Sequence, residues 1–134
     1  MVRLMMIAAV ICGLSAPVSA KPALRDVPVI DDGLFAVALA DRIRKTCPTI
    51  SARFFRAYAY LNDLRKTAEA RGYSRAEVEA HLESDAEKDR LRARAARLLE
   101  AQGLRADAPG YCALGRQQIE AGTDAGRLLR EDRQ

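Results

Sequence analysis

Residues 31–48 read DDGLFAVALADRIRKTCP, and this stretch decides the fold. Asp31 or Asp32 can cap the orphan amides at the start of a helix and suits the positive end of its dipole. From Leu34 to Ala40 the side chains are apolar almost all the way round, which marks a helix buried on most sides. Arg42, Arg44 and Lys45 gather near its negative end, and Cys47-Pro48 stops it.

Downstream, a second helix is expected from Thr49 or Ser51 to about Arg71. At helical spacing it collects Phe54, Phe55, Ala57, Tyr58, Leu61, Leu64 and Ala68 on one broad face, and Gly72 ends it. That breadth makes it the expected central core helix. Ser74-Arg75-Ala76-Glu77 is a capping box opening a short third helix with Val78 and Leu82 inward, and Ser84-Asp85-Ala86-Glu87 is a second box, implying a break near Ser84. A fourth helix to Gln102 carries Leu91, Ala95, Leu98 and Leu99 on a narrow stripe and ends at Gly103. Pro109 suits the first turn of a fifth, with Tyr111, Cys112, Gly115 and Ile119 on one side. Gly115 there fits close backbone packing. Gly122-Thr123-Asp124 makes a corner before a last short helix with Leu128 and Leu129. No period-two alternation of strand length occurs, so the expected class is all-α: a single small helical domain of five or six helices over residues 31–130, with a frayed tail at 131–134.

Upstream, Lys21 to Ile30 contains Pro22 and Pro28 and reads as an extended leader. Residues 1–20 carry Arg3, the apolar run Leu4 to Leu14, and Val18-Ser19-Ala20 before Lys21, the pattern of a secretory signal peptide. The run falls short of the about 20 apolar residues a membrane span needs, and no second such segment follows, so no span is expected after signal removal. The protein is therefore expected to be periplasmic or secreted. Its two remaining cysteines, Cys47 and Cys112, read first as an intrachain disulfide, with a free thiol, a metal ligand or an intermolecular bridge as alternatives.

The chain carries 22 basic and 18 acidic side chains. So mild an excess, without a clustered stripe, does not suggest nucleic acid as a partner, though it suits anionic envelope surfaces. With one histidine and two distant cysteines no zinc site is expected, and motifs for haem, nucleotides, serine hydrolases and metalloproteases are absent, so no cofactor is expected. His81, one turn after Val78, reads as structural rather than as a general base. Asp41 falls between Leu34 and Ala38 on the helical wheel and wants a partner. Arg65, or else Arg53, would make a buried ion pair with it, and ligand binding is the other role open to this carboxylate. Tyr60 falls off its helix's apolar arc and, with Arg53 and Arg56, marks a candidate partner surface. Arg90, Arg92, Arg94 and Arg97, preceded by Glu83, Asp85, Glu87 and Asp89, read as a solvated, locally paired face.

Pro28-Val29-Ile30-Asp31-Asp32-Gly33-Leu34 and Ile43-Arg44-Lys45-Thr46-Cys47-Pro48-Thr49-Ile50-Ser51-Ala52-Arg53 resemble a domain-of-unknown-function family of small exported alphaproteobacterial proteins. Arg56-Ala57-Tyr58, Gly72-Tyr73-Ser74, Glu83-Ser84-Asp85-Ala86-Glu87-Lys88, and Tyr111-Cys112 with Gly115 and Ile119 extend the likeness over nearly the whole chain after Ala20. The resemblance implies an exported helical domain with the Cys47 and Cys112 pair, and it carries no substrate, cofactor or catalytic residue. The expected function is a non-enzymatic envelope protein that binds another protein or a small ligand near its first two helices, in an oligomeric state left open. The alternative is a chaperone-like or a hydrolytic envelope protein, the latter resting on Asp41, Glu77 and Glu83 as acid and base.

Overall fold

Helix α1 (Pro28–Thr46) is the axis on which the other elements pack, and a computed structural model describes it within residues 20–133. The signal segment read in residues 1–20 lies outside these apart from Ala20, as does Gln134 at the end of the tail. Pro28 fills the first turn, Asp31 sits at the positive end, and Arg44 and Lys45 at the negative end. Ile43, Leu39, Ala40, Ala36, Leu34 and Ile30 are all buried.

After Cys47 comes β1 (Ile50–Ala52), then α2 (Phe54–Ala70), α3 (Arg75–Glu83), α4 (Asp85–Ala101), α5 (Ala108–Ala121), α6 (Asp124–Arg127) and β2 (Leu129–Glu131). The class is all-α, with six helices among the described residues and a very small antiparallel sheet pairing Ile50 with Glu131, Ser51 with Arg130 and Ala52 with Leu129. α1 meets α2, α4, α5 and α6, so these four helices share one spine. Its middle and C-terminal part joins Leu99, Leu114, Leu128 and Leu129 in one core. Its first turns join Leu24, Val27, Ala68, Tyr73, Val78 and Leu91 in another.

Cys47, the residue that ends α1, is bonded to Cys112 on α5 as a disulfide, with the two Cα atoms 5.0 Å apart. Beside it Gly115 lets α5 lie directly on α1 and β1, because a Cβ there would come within 2.5 Å of Ile50 and 2.7 Å of Ile43. Gly122 closes α5 at φ 62°, a left-handed conformation that costs glycine nothing.

Four expectations are corrected. The segment read as an extended leader holds a 3-10 turn at Leu24–Asp26 and the first turn of α1. Leu24, Val27 and Ile30 are buried, and the Tyr73 hydroxyl donates to Pro22 O at 2.5 Å, because Pro28 starts the helix instead of keeping the chain out of it. Thr49 and Ser51 precede and join a strand rather than opening a helix, and Glu131, read as part of a frayed tail, pairs with Ile50 in that sheet. Asp132 N–H donates to Thr49 O at 3.0 Å, and its carboxylate accepts from Ser51 Oγ at 2.6 Å. Lastly, α2 is not the central helix. Only Ala68 of α2 is fully buried, while Phe54, Phe55 and Tyr58 stand in solvent. Periodicity shows that a face is apolar, not that a neighbour covers it.

Candidate functional site

α3 and α4 meet at Ser84, and the break turns them into a wall facing α1 and α2. Between them lies an open hollow of about 320 Å³. Leu34, Val37 and Ala38 of α1, Leu61 of α2, Leu82 of α3 and Leu91 of α4 supply its apolar walls. Four polar groups border it: His81 of α3, Glu87 of α4, Asp41 of α1 and Lys88 of α4. The last two are engaged locally, Asp41 with Arg44 at 2.5 Å and Lys45 at 2.6 Å, and Lys88 with Glu83 O at 3.0 Å.

The two capping motifs that build this wall diverge. At Ser74 the box is complete: Ser74 Oγ accepts from Glu77 N–H at 3.1 Å, and the Glu77 carboxylate accepts from Ser74 N–H at 2.6 Å. At Ser84 only half forms. Ser84 Oγ accepts from Glu87 N–H at 3.4 Å, but the Glu87 side chain turns inward and is 5% exposed. There it accepts from Arg90 Nε at 2.9 Å and pairs with Arg25 of the N-terminal turn. Arg90 also pairs with Asp31, which Arg94 reaches at 3.1 Å while holding Asp32 at 2.7 Å. The Arg94 guanidinium lies 4.0 Å from the Phe35 ring centre.

The arginine run of α4 is therefore not simply a solvated face. Arg92 keeps to its local partner Asp89 at 2.5 Å, as the sequence suggests. Arg90 and Arg94 flank the buried stripe of Leu91 and Ala95, so their side chains reach across to the acidic first turns of α1.

Burial pushes the Glu87 carboxyl up, but the hydrogen bond from Arg90 and the charges of Arg25 and Arg90 outweigh it and hold the pKa below the usual carboxylate range. His81 lies 4.0 Å from Glu87, with its side chain 12% exposed. Burial, helped by Arg90 and Arg25 and opposed by Glu87 and Asp31, lowers its pKa, so the imidazole is neutral at neutral pH. Among the described residues its Nε2 has no hydrogen-bond partner. The ring also borders a narrow cavity between α1, α2 and α3, where Arg65 Nε is likewise unpartnered.

The residues singled out from the sequence are placed differently. Asp41 and Arg65 do not pair: Asp41 takes the two cations of its own helix, and Arg65 donates to Asn62 Oδ1 at 3.2 Å. A basic side chain three and four residues on is nearer than any on α2, which is why the wheel position misleads. A partly buried ion network exists, but on Asp31 and Glu87, two carboxylates that sequence reasoning treats as helix caps.

Arg53, Arg56 and Tyr60 are brought together, yet they face the end of this chain. Arg53 Nε donates to Leu129 O at 3.0 Å, Arg56 to Arg127 O at 3.3 Å, and the Tyr60 hydroxyl to Asp124 at 3.0 Å. Burial and the Asp124 carboxylate push the Tyr60 phenol up to about 12. The exposed aromatics are their neighbours: Phe55 is 95% exposed, Tyr58 68% and Phe54 66%. Of the carboxylates weighed as acid and base, Asp41 is paired within its own helix and Glu77 is held by Lys21 at 3.0 Å. Among the described residues no three histidine, cysteine or carboxylate side chains cluster as a metal site would require, and no helix is long and apolar enough to cross a membrane.

Compared with known proteins, residues 22–130 match the model of a family of unknown function, DUF5333. No curated protein and no solved structure matches the chain.

Proposed function

The chain belongs to the DUF5333 family of unknown function, and from that premise we propose that it is an exported envelope protein that binds a small apolar ligand between α1, α2, α3 and α4. The observation that carries this reading is the hollow itself. Its about 320 Å³ is at the small end of the range in which proteins hold organic ligands, and its walls are almost entirely Leu, Val and Ala side chains. Asp41, Lys88 and Glu87 are each engaged with protein partners. The neutral His81 ring borders the apolar wall, with its unpartnered Nε2 buried. This combination favours a compact, uncharged molecule with at most one hydrogen-bonding group.

A binding role rather than catalysis is supported by the state of the same groups. Glu87 is ionised and paired, so it has no proton to give and little basicity to offer. The signal pattern of residues 1–20 and the Cys47–Cys112 bond support a periplasmic or secreted location.

The test is titration of the purified, oxidised protein with N-phenyl-1-naphthylamine, an apolar dye that brightens when desolvated. Saturable one-to-one binding is expected. Ala38→Phe, which places a ring in the hollow, should weaken it at least about tenfold. Absence of saturable binding, or equal binding by the variant, would remove the basis for this reading.

A further inference from the structure

The start of α2 presents a second surface, independent of the hollow. Ala52, Arg53, Phe54, Phe55, Arg56 and Arg130 enclose a shallow depression of about 350 Å³ with three arginines and no carboxylate. Phe54, Phe55 and Tyr58 project from it, and the Arg44 guanidinium lies 5.5 Å from the Phe54 ring centre. A soluble domain seldom leaves three large aromatic side chains of one helix in water.

The helix end itself adds to the positive field. Arg53 occupies the N-cap position without a side-chain capping bond, and the first turn contains no acidic residue. Helix starts usually carry an acid or a capping oxygen to meet the exposed amides and the positive dipole end. Here arginines stand in that place, so amides, dipole and guanidinium groups all favour an anion at the same spot.

We infer that this face attaches the protein peripherally to an anionic lipid surface. Phe54, Phe55 and Tyr58 enter the headgroup boundary, while Arg53, Arg56, Arg130 and the uncapped start of α2 meet lipid phosphates. Exposed aromatic rings within a ring of arginines suit such an interface, where apolar insertion and charge attraction act together. An acidic protein partner would match the arginines but would leave unexplained a Phe55 that is almost wholly exposed. The attachment goes beyond the ligand-binding reading and does not depend on it.

Flotation of the oxidised protein with phosphatidylcholine vesicles, with and without phosphatidylglycerol, tests the inference. Binding is expected only to the phosphatidylglycerol vesicles, with release by high salt. Phe55→Ser should reduce partitioning about tenfold and Arg130→Gln about fivefold. Both side chains are exposed, so thermal unfolding of the variants should match the parent. Ala38→Phe should float normally, which separates this result from the fate of the hollow. Failure to float, equal flotation with neutral vesicles, or an unaffected Phe55→Ser variant would overturn the inference. So would sedimentation showing a dimer that Phe55→Ser dissolves, because the face would then be occupied by a second copy.

Discussion

Glu77 and Glu87 hold the same position in the same four-residue motif, and their neighbours alone separate them. Glu77 meets Lys21 in solvent and completes its cap, whereas Glu87 is drawn inward by Arg90 and Arg25. Its carboxylate then serves tertiary structure, and a charged group buried among hydrogen-bonding cations is costly to alter. Glu87→Gln is expected to lower stability by about 2 kcal/mol at neutral pH. The pH dependence fixes the sign. The folded-state pKa of Glu87 lies below the ordinary 4.5, so its contribution is complete above that value and is lost as pH falls through the folded pKa. His81 acts in the same direction. Its folded pKa lies below 6.5, so below 6.5 the unfolded chain takes up a proton that the fold resists, until the folded pKa is passed. Urea unfolding across pH should therefore show stability declining in two stages on acidification. The gap to Glu87→Gln should close once the parent carboxyl is protonated, and a gap that is constant across pH would show that the charge is not responsible.

Among the elements, α4 and α5 were legible because a start signal, a glycine stop and apolar spacing agree, whereas α1 begins at Pro28 behind Val27, ahead of the Asp31 or Asp32 cap its sequence suggests. The two strands were not legible. Three residues are too few for alternation to register, and β2 becomes a strand only because β1 lies beside it. Leu129 shows what this pairing contributes: it is fully buried, and its carbonyl accepts from Arg53. Leu129→Ala is expected to cost about 3 kcal/mol in urea unfolding, whereas a frayed end would lose nothing measurable. α2 was misread for a related reason. Its aromatic arc is real, but α3 covers only the far end of the helix, and the sequence of one helix does not state where its neighbours stop.

For the whole molecule, α1 is shared by two cores, and the Cys47–Cys112 bond fastens its end to α5. Closing a separation of 65 residues contributes about 4 kcal/mol on the chain-entropy account. The cysteine pair and the helical class could be read from residue types and spacing. The hollow could not, because a cavity is set by how side chains from four helices fail to fill a space, and no single stretch contains that information. The place of His81 beside an apolar wall emerged only from the α3–α4 break. The most direct test of the ligand-binding account is a methyl-resolved NMR titration of the oxidised protein with N-phenyl-1-naphthylamine. The account predicts shifts confined to Leu34, Val37, Ala38, Leu61, Leu82 and Leu91, with Leu114 and Leu128 of the other core unmoved. Shifts centred on that other core, or none at saturating dye, would contradict it.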